Sequence, residues 1–139
     1  MFILQENPIN PPAYANPQNG ALASFEGIVR GDAQGNARVN ALLYIADTPA
    51  CKTEGEEIIK EAYSLFSITH AVCIQRIGKV NAGETAVWIG VWAGHRDDAF
   101  KGCRYVIEEI KQRLLIWKKE FFIDGTSKWV YGPQTPVIL

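Results

Sequence analysis

Residues 74–100 read IQRIGKVNAGETAVWIGVWAGHRDDAF, and this stretch decides the fold class. Asn81-Ala82-Gly83 is a turn signal between two apolar runs, which predicts paired strands over 71–80 and 84–93. In the second run Val87, Ile89 and Val91 share one face, and Trp88, Gly90 and Trp92 share the other. A strand that is apolar on both faces is central and covered on both sides. Gly94 and His95 end it. A helical stripe of Ala99, Phe100, Cys103, Val106, Ile107, Ile110 and Leu114 follows, with Asp97 or Asp98 as its cap.

Upstream, residues 1–20 are rich in Pro, Asn and Gln and read as an extended lead-in over 1–19. Ala21 to Arg30 reads as a strand whose Gly27 marks a bulge or a close backbone approach. Gly31 to Arg38 is a polar loop, and Val39 to Ile45 the next strand. Thr53 and Glu56 form a capping-box pattern ahead of Ile58, Ile59, Ala62, Leu65 and Phe66, which predicts a helix over 54–68. Downstream, Ile116 to Ile123 and Ser127 to Tyr131 flank Asp124-Gly125, a hairpin signal, and 132–139 reads as a tail. The order of elements predicts a single α+β domain over 1–139 with mainly antiparallel pairing.

The chain has 139 residues, 47% of them hydrophobic and 21% charged, an ordinary globular balance. Fourteen Lys+Arg against fifteen Asp+Glu leave a net charge of −1, which argues against a protein held to nucleic acid by bulk charge. There is no apolar run of about 18 residues to span a membrane and no basic, signal-like N-terminus, which predicts a cytoplasmic protein. Cys51, Cys73 and Cys103 are far apart and His70 and His95 are the only histidines, so no metal site is expected and the cysteines read as buried thiols.

Common nucleophile and nucleotide motifs are absent; what remains is a set of cations near element ends. His95-Arg96 sits where a strand gives way to a helix, a place suited to an anion; pairing of Arg96 with Asp97 or Asp98 explains it equally well. Arg104, Glu108 and Lys111 fall on one helix flank, which alone reads as a solvated charge ladder. Lys118 and Lys119 are strand neighbours, so only one can enter a given pocket; lysines that guard a sheet edge are the plainer account of both.

In chain order, GALASFEGIVRG at 20–31, the 74–100 stretch and GCRYVIEEIKQRLLIWKKE at 102–120 resemble the large, catalytic subunit of molybdopterin synthase. The G-x-VR element, the R-x-G…G-E hairpin, the HR-x-x-AF helix start, the K-x6-WKKE segment and the trailing DG…WV carry the resemblance from Gly20 to Tyr131. It implies an α/β hammerhead-like fold with an added antiparallel β subdomain. It also implies a homodimer, within a heterotetramer, whose subunits each bind a small ubiquitin-like sulfur carrier ending in a Gly-Gly thiocarboxylate. Two sulfurs would pass to cyclic pyranopterin monophosphate, and no cofactor is implied.

By that resemblance Lys111 and Lys118 are the catalytic lysines, Lys111 doing acid–base work and orienting the thiocarboxylate. Arg30 and the main chain around Val29 would contact substrate, and His95 and Arg96 would bind the anionic ligand. Lys119 and Glu120 would give main-chain or supporting contacts. Arg30, His95, Arg96, Lys111 and Lys118 should then converge on one pocket. The chain departs from the family pattern at Gln75, at Ile45 to Asp47 and at Leu115. A non-catalytic paralogue that keeps only carrier binding is the alternative.

Overall fold

A computed structural model of the chain describes residues 1–34 and 37–130, apart from the side chains of 33, 34 and 37. Its strands and helices are β1 (Phe2–Gln5), β2 (Ala21–Ile28), β3 (Ala33–Gln34), β4 (Ala37–Ala46) and α1 (Thr48–Leu65), then β5 (Ile68–Arg76), β6 (Gly78–Asn81), β7 (Thr85–Ala93), α2 (Arg96–Arg113), β8 (Ile116–Phe122) and β9 (Ser127–Val130). This is the α+β class that the sequence predicts. One sheet has the order β1-β5-β7-β2, and a second carries β3, β4, β8 and β9 with β6 also on β4.

Strand β7 is the centre of the first sheet, antiparallel to β5 on one side and β2 on the other. Val87, Ile89 and Val91 face the main core with the buried side of both helices. Trp88 and Trp92 face the opposite way with Val72 and Ile74, and Ile3, Ile9 and Tyr14 cover them. Gly90 makes room for this layer, since a Cβ there would lie 2.2 Å from the Trp88 ring. Gly27 has the close approach expected of it: a Cβ would meet Val87 at 2.7 Å, and the register shifts between Gly27 and Ile28.

Several boundaries differ from expectation. The lead-in contains β1, which pairs in parallel with β5 from Phe2↔Cys73 to Gln5↔Arg76. Four residues suffice because Phe2 is buried over α1, where Gly55 leaves space for its ring. The expected strand over 71–80 is two strands. Gly78, at φ +83°, turns the chain out of the first sheet, and β6 pairs with β4 in the second. The expected loop over 31–38 contains β3, which pairs with the start of β4.

Helix α1 begins six residues before the predicted 54. Its cap is Asp47, whose side chain accepts from Ala50 N–H, and Pro49 sits in the first turn where no amide hydrogen is needed. Thr53 and Glu56 are interior; Glu56 instead accepts the Phe2 N–H at 2.7 Å. Helix α2 is capped by His95 without a side-chain hydrogen bond, with Asp97 and Asp98 in its first turn rather than at the cap. Phe100 is 64% exposed and leaves the predicted core stripe. The β8–β9 hairpin turns at Gly125 as predicted, at φ +90°. Tyr131 and the predicted tail over 132–139 lie outside the described residues.

The helices are tied at one end by Arg113. Its guanidinium donates to Glu54 at 2.8 Å, Glu61 at 2.6 Å and Glu109 at 3.0 Å, and Tyr105 donates to Glu61 as well. Arg113 holds the Glu61 carboxyl down at about 2, with the Tyr105 hydrogen bond acting in the same direction.

Candidate active site

The two sheets meet around a cavity of about 420 Å³. Strand β2 ends there, β4 and β8 form one wall, and the last turns of α2 form another. Phe25, Val87 and Ile107 give it apolar surface; Arg30, Lys111, Lys118 and Glu120 give it charge. The turn after β6 braces the end of β2, as Val29 N–H donates to Glu84 O at 3.0 Å and Gly83 N–H to Val29 O at 2.8 Å. Both main-chain groups of Val29 are therefore hydrogen-bonded, and the residue, itself buried, lines the cavity.

Lys118 reaches the cavity because β8 alternates. Ile116, two residues earlier on the same face, is fully buried and anchors that face to the core. Burial pushes the Lys118 ammonium below the ordinary lysine value; Glu120 opposes this, and the Lys111 charge adds to it. Lys119 points to the other face, its ammonium 5.7 Å from the Phe121 ring centre and 5.4 Å from that of Trp129. Glu120, back on the Lys118 face, lines the cavity.

Lys111 extends from the last turn of α2, where the helix dipole favours a cation. It is exposed, not partly buried as its place beside Ile110 suggests. It also borders a second cavity of about 330 Å³, bounded by Phe25, Phe100, Arg104 and Ile107. Arg30 lines the first cavity with a largely exposed side chain paired to Asp32.

His95 and Arg96 are exposed at the opposite end of α2. Lys111 lies fifteen helical steps beyond Arg96, about 22 Å at the rise of an α-helix. The structure thus brings Arg30, Lys111 and Lys118 together, with Val29 and Glu120, and does not bring His95, Arg96 or the Lys119 side chain to them. Asp97 pairs with Lys101 at 3.0 Å, and Asp98 accepts from Ser67 N–H.

Sequence reasoning does not single out Tyr44, which also lines the cavity and lies directly opposite Lys118 in the β4–β8 register. The alternation of Leu42 and Tyr44 carries the signal, but the pairing that sets it beside Lys118 is a tertiary fact. None of the residues that depart from the family pattern lines the cavity. Gln75 is fully buried and donates to Arg76 O and Ala86 O, its Oε1 unpartnered. Asp47 caps α1, and Leu115 O accepts from Asp47 N–H and the Cys51 thiol.

All three cysteines are free and buried, and burial raises each thiol, Cys103 to about 11. None is an activated sulfur nucleophile. Among the described residues no group of three or more His, Cys, Asp or Glu could hold a metal ion.

The family model described as "MoaE protein" matches residues 4–113. This chain belongs to the MoaE family. A molybdopterin synthase catalytic subunit from Thermoplasma volcanium is 38% identical over 130 residues, which cover 91% of this MoaE chain and 94% of the relative. The crystal structure of molybdopterin synthase from Staphylococcus aureus superposes with a TM-score of 0.87 at 32% identity, covering 94% of this chain and 97% of the other. A complex of subunits 1 and 2 of molybdopterin-converting factor from Helicobacter pylori shares the fold, with a TM-score of 0.71 at 22% identity over 86% of this chain and 77% of that one. The MoaE fold accounts for both sheets and both helices described above.

Proposed function

We propose that this chain is the catalytic, sulfur-transferring subunit of molybdopterin synthase, an enzyme of molybdenum cofactor biosynthesis. The observation that carries the reading is Lys118, half-buried in a cationic cavity beside Lys111, where burial lowers its pKa from the ordinary lysine value. A lysine of this kind holds an anion when charged and moves a proton when neutral.

In this reading the sulfur arrives on a partner, the thiocarboxylate tail of a small ubiquitin-like carrier, and the three buried thiols of this chain, each raised by burial, take no part. The substrate is cyclic pyranopterin monophosphate, which receives two sulfurs in turn. Arg30 and Lys111 hold the anionic groups, and Lys118 carries the proton as oxygen leaves. The greater burial of Lys118 moves the acid–base role to it from Lys111. Glu120 orients Lys118, and Lys119 supports the strand from its other face. We place the reaction in the cytoplasm. Among the described residues no helix is long and apolar enough to cross a membrane.

His95 and Arg96 are too far from the cavity of their own chain to serve it. In the proposed homodimer, within a heterotetramer with two carriers, they bind the anionic ligand at the partner's cavity.

The test is reconstitution of this chain with a thiocarboxylated carrier and the cyclic precursor. Molybdopterin should form with the wild type and not with Lys118→Ala. A well-folded wild type that binds carrier yet makes no product would reduce the chain to a carrier-binding protein.

A further inference from the structure

Tyr44 stands in the middle of β4, a position with neighbours on both sides. On one side its cross-strand partner is Gly78, which has no side chain; on the other it is Lys118. Directly opposed residues of an antiparallel pair carry their Cβ atoms about 5 Å apart on the same face. The Tyr44 ring therefore lies beside the Lys118 stem, with the gap at Gly78 on its other flank.

The residue is 5% exposed, yet its hydroxyl has no hydrogen-bond partner among the described residues. Nor is that oxygen one of the fully enclosed unpartnered atoms, a condition found only for Gln75 Oε1 among the described residues. An oxygen that is neither bonded nor sealed in opens onto space, and Tyr44 lines the 420 Å³ cavity. A buried phenol normally finds a partner. This one is a hydrogen-bonding group with a vacancy toward the cavity that Lys111, Lys118 and Arg30 make positive.

We propose that Tyr44 is a further ligand-contacting residue of this site, donating its hydroxyl hydrogen to an oxyanion held between Lys111 and Lys118. The inference rests on the functional reading above for the identity of the anion, not for the contact itself. Burial supports the direction of the bond, because it raises the phenol to about 12 and keeps its hydrogen in place at neutral pH. A neutral donor suits this position. It adds a directed bond without a further positive charge against Lys118, and it selects a ligand oxygen that can accept. Two sources present such an oxygen in the proposed reaction: the phosphate of the precursor and the carbonyl end of the carrier tail.

The contact is tested without turnover by titrating wild-type protein, labelled with carbon-13 at the tyrosine Cζ, with inorganic phosphate. A saturable shift of the Tyr44 signal, identified by its loss in Tyr44→Phe, is expected. A Tyr44 signal that does not move overturns the proposal, whether or not the chain makes molybdopterin. In the reconstituted synthase Tyr44→Phe should lower kcat/KM about tenfold or more, the scale of a hydrogen bond to a charged group. A loss seen on varying the precursor assigns the bond to its phosphate, and a loss seen on varying the carrier assigns it to the tail. Unchanged kcat/KM in both arms overturns the proposal. A wild type that shows the shift but makes no product counts against the functional reading alone.

Discussion

Lys118 and Lys119 differ by one position and one face of a strand. Lys118→Ala should abolish product formation, while Lys119→Ala, which removes only a cation stacked on Phe121 and Trp129, should stay within about tenfold of wild type. Rates from the reconstituted synthase decide it, and a reversed order would mean that β8 is read in the wrong register. Lys118 also has a stability signature. The folded state disfavours its proton, so the unfolded chain binds that proton more readily. The penalty is fully present below the folded pKa and fades as pH rises toward the ordinary lysine value. Lys118→Met should therefore melt above wild type at neutral pH, with the gap closing in alkaline buffer. Exposed Lys111 leads to a different expectation. Lys111→Arg should keep carrier binding and, because charge is what it supplies, lose no more than about tenfold in rate. A complete loss of product with binding intact would return the proton to Lys111.

Among the elements, the long periodic ones were legible in the sequence and their ends were not. The apolar faces of β7 and the stripe of α2 announce themselves because each repeats over many residues. Helix α1 shows the limit: Thr53 and Glu56 have capping-box chemistry, but the chain is already helical there, because Asp47 and Pro49 start the helix earlier. Asp47→Ala should cost about 1 kcal/mol in urea denaturation, whereas Thr53→Ala should cost much less. In the ladder on Arg113, only the i,i+4 spacing of Glu109 and Arg113 is local; Glu54 and Glu61 come from the other helix and leave no local trace in the sequence. Glu61, lowered from about 4.5 to about 2, contributes stability that is present above its unfolded value and lost as pH falls through its folded one. Melting curves of wild type and Glu61→Gln should differ at pH 7 and draw together as the pH approaches about 2. A gap that persists unchanged in acid would show that packing, not charge, is at stake.

For the whole molecule, the ordered set of short motifs pointed to the family although no single one is decisive. Composition could exclude but not identify, since the reaction proposed here draws its sulfur from elsewhere. The pocket was legible only in part: Arg30, Lys111 and Lys118 converge, whereas His95 and Arg96 lie a helix length away. Sequence order cannot measure that distance; the single helix that joins them can. Mixed assemblies test whether a second copy bridges it. His95→Ala and Lys111→Ala chains, each inactive alone, should recover about a quarter to a half of wild-type activity when co-assembled, because one cavity in the hybrid keeps every group. No recovery in a proven hybrid would remove His95 from the site.

The parallel pairing of β1 with β5 also sets an order in time. Phe2 cannot close onto its place until Cys73, its register partner, has been made, with all of α1 between them. At ribosomal speeds of about 5–20 residues per second, that wait lasts roughly 4–14 s. Throughout it, the apolar residues Phe2, Ile3 and Leu4 remain an unpaired strand on the nascent chain. Strand β1 thus waits for its partner with all of α1 still to be made between them, and during that interval its apolar side chains have no sheet to join.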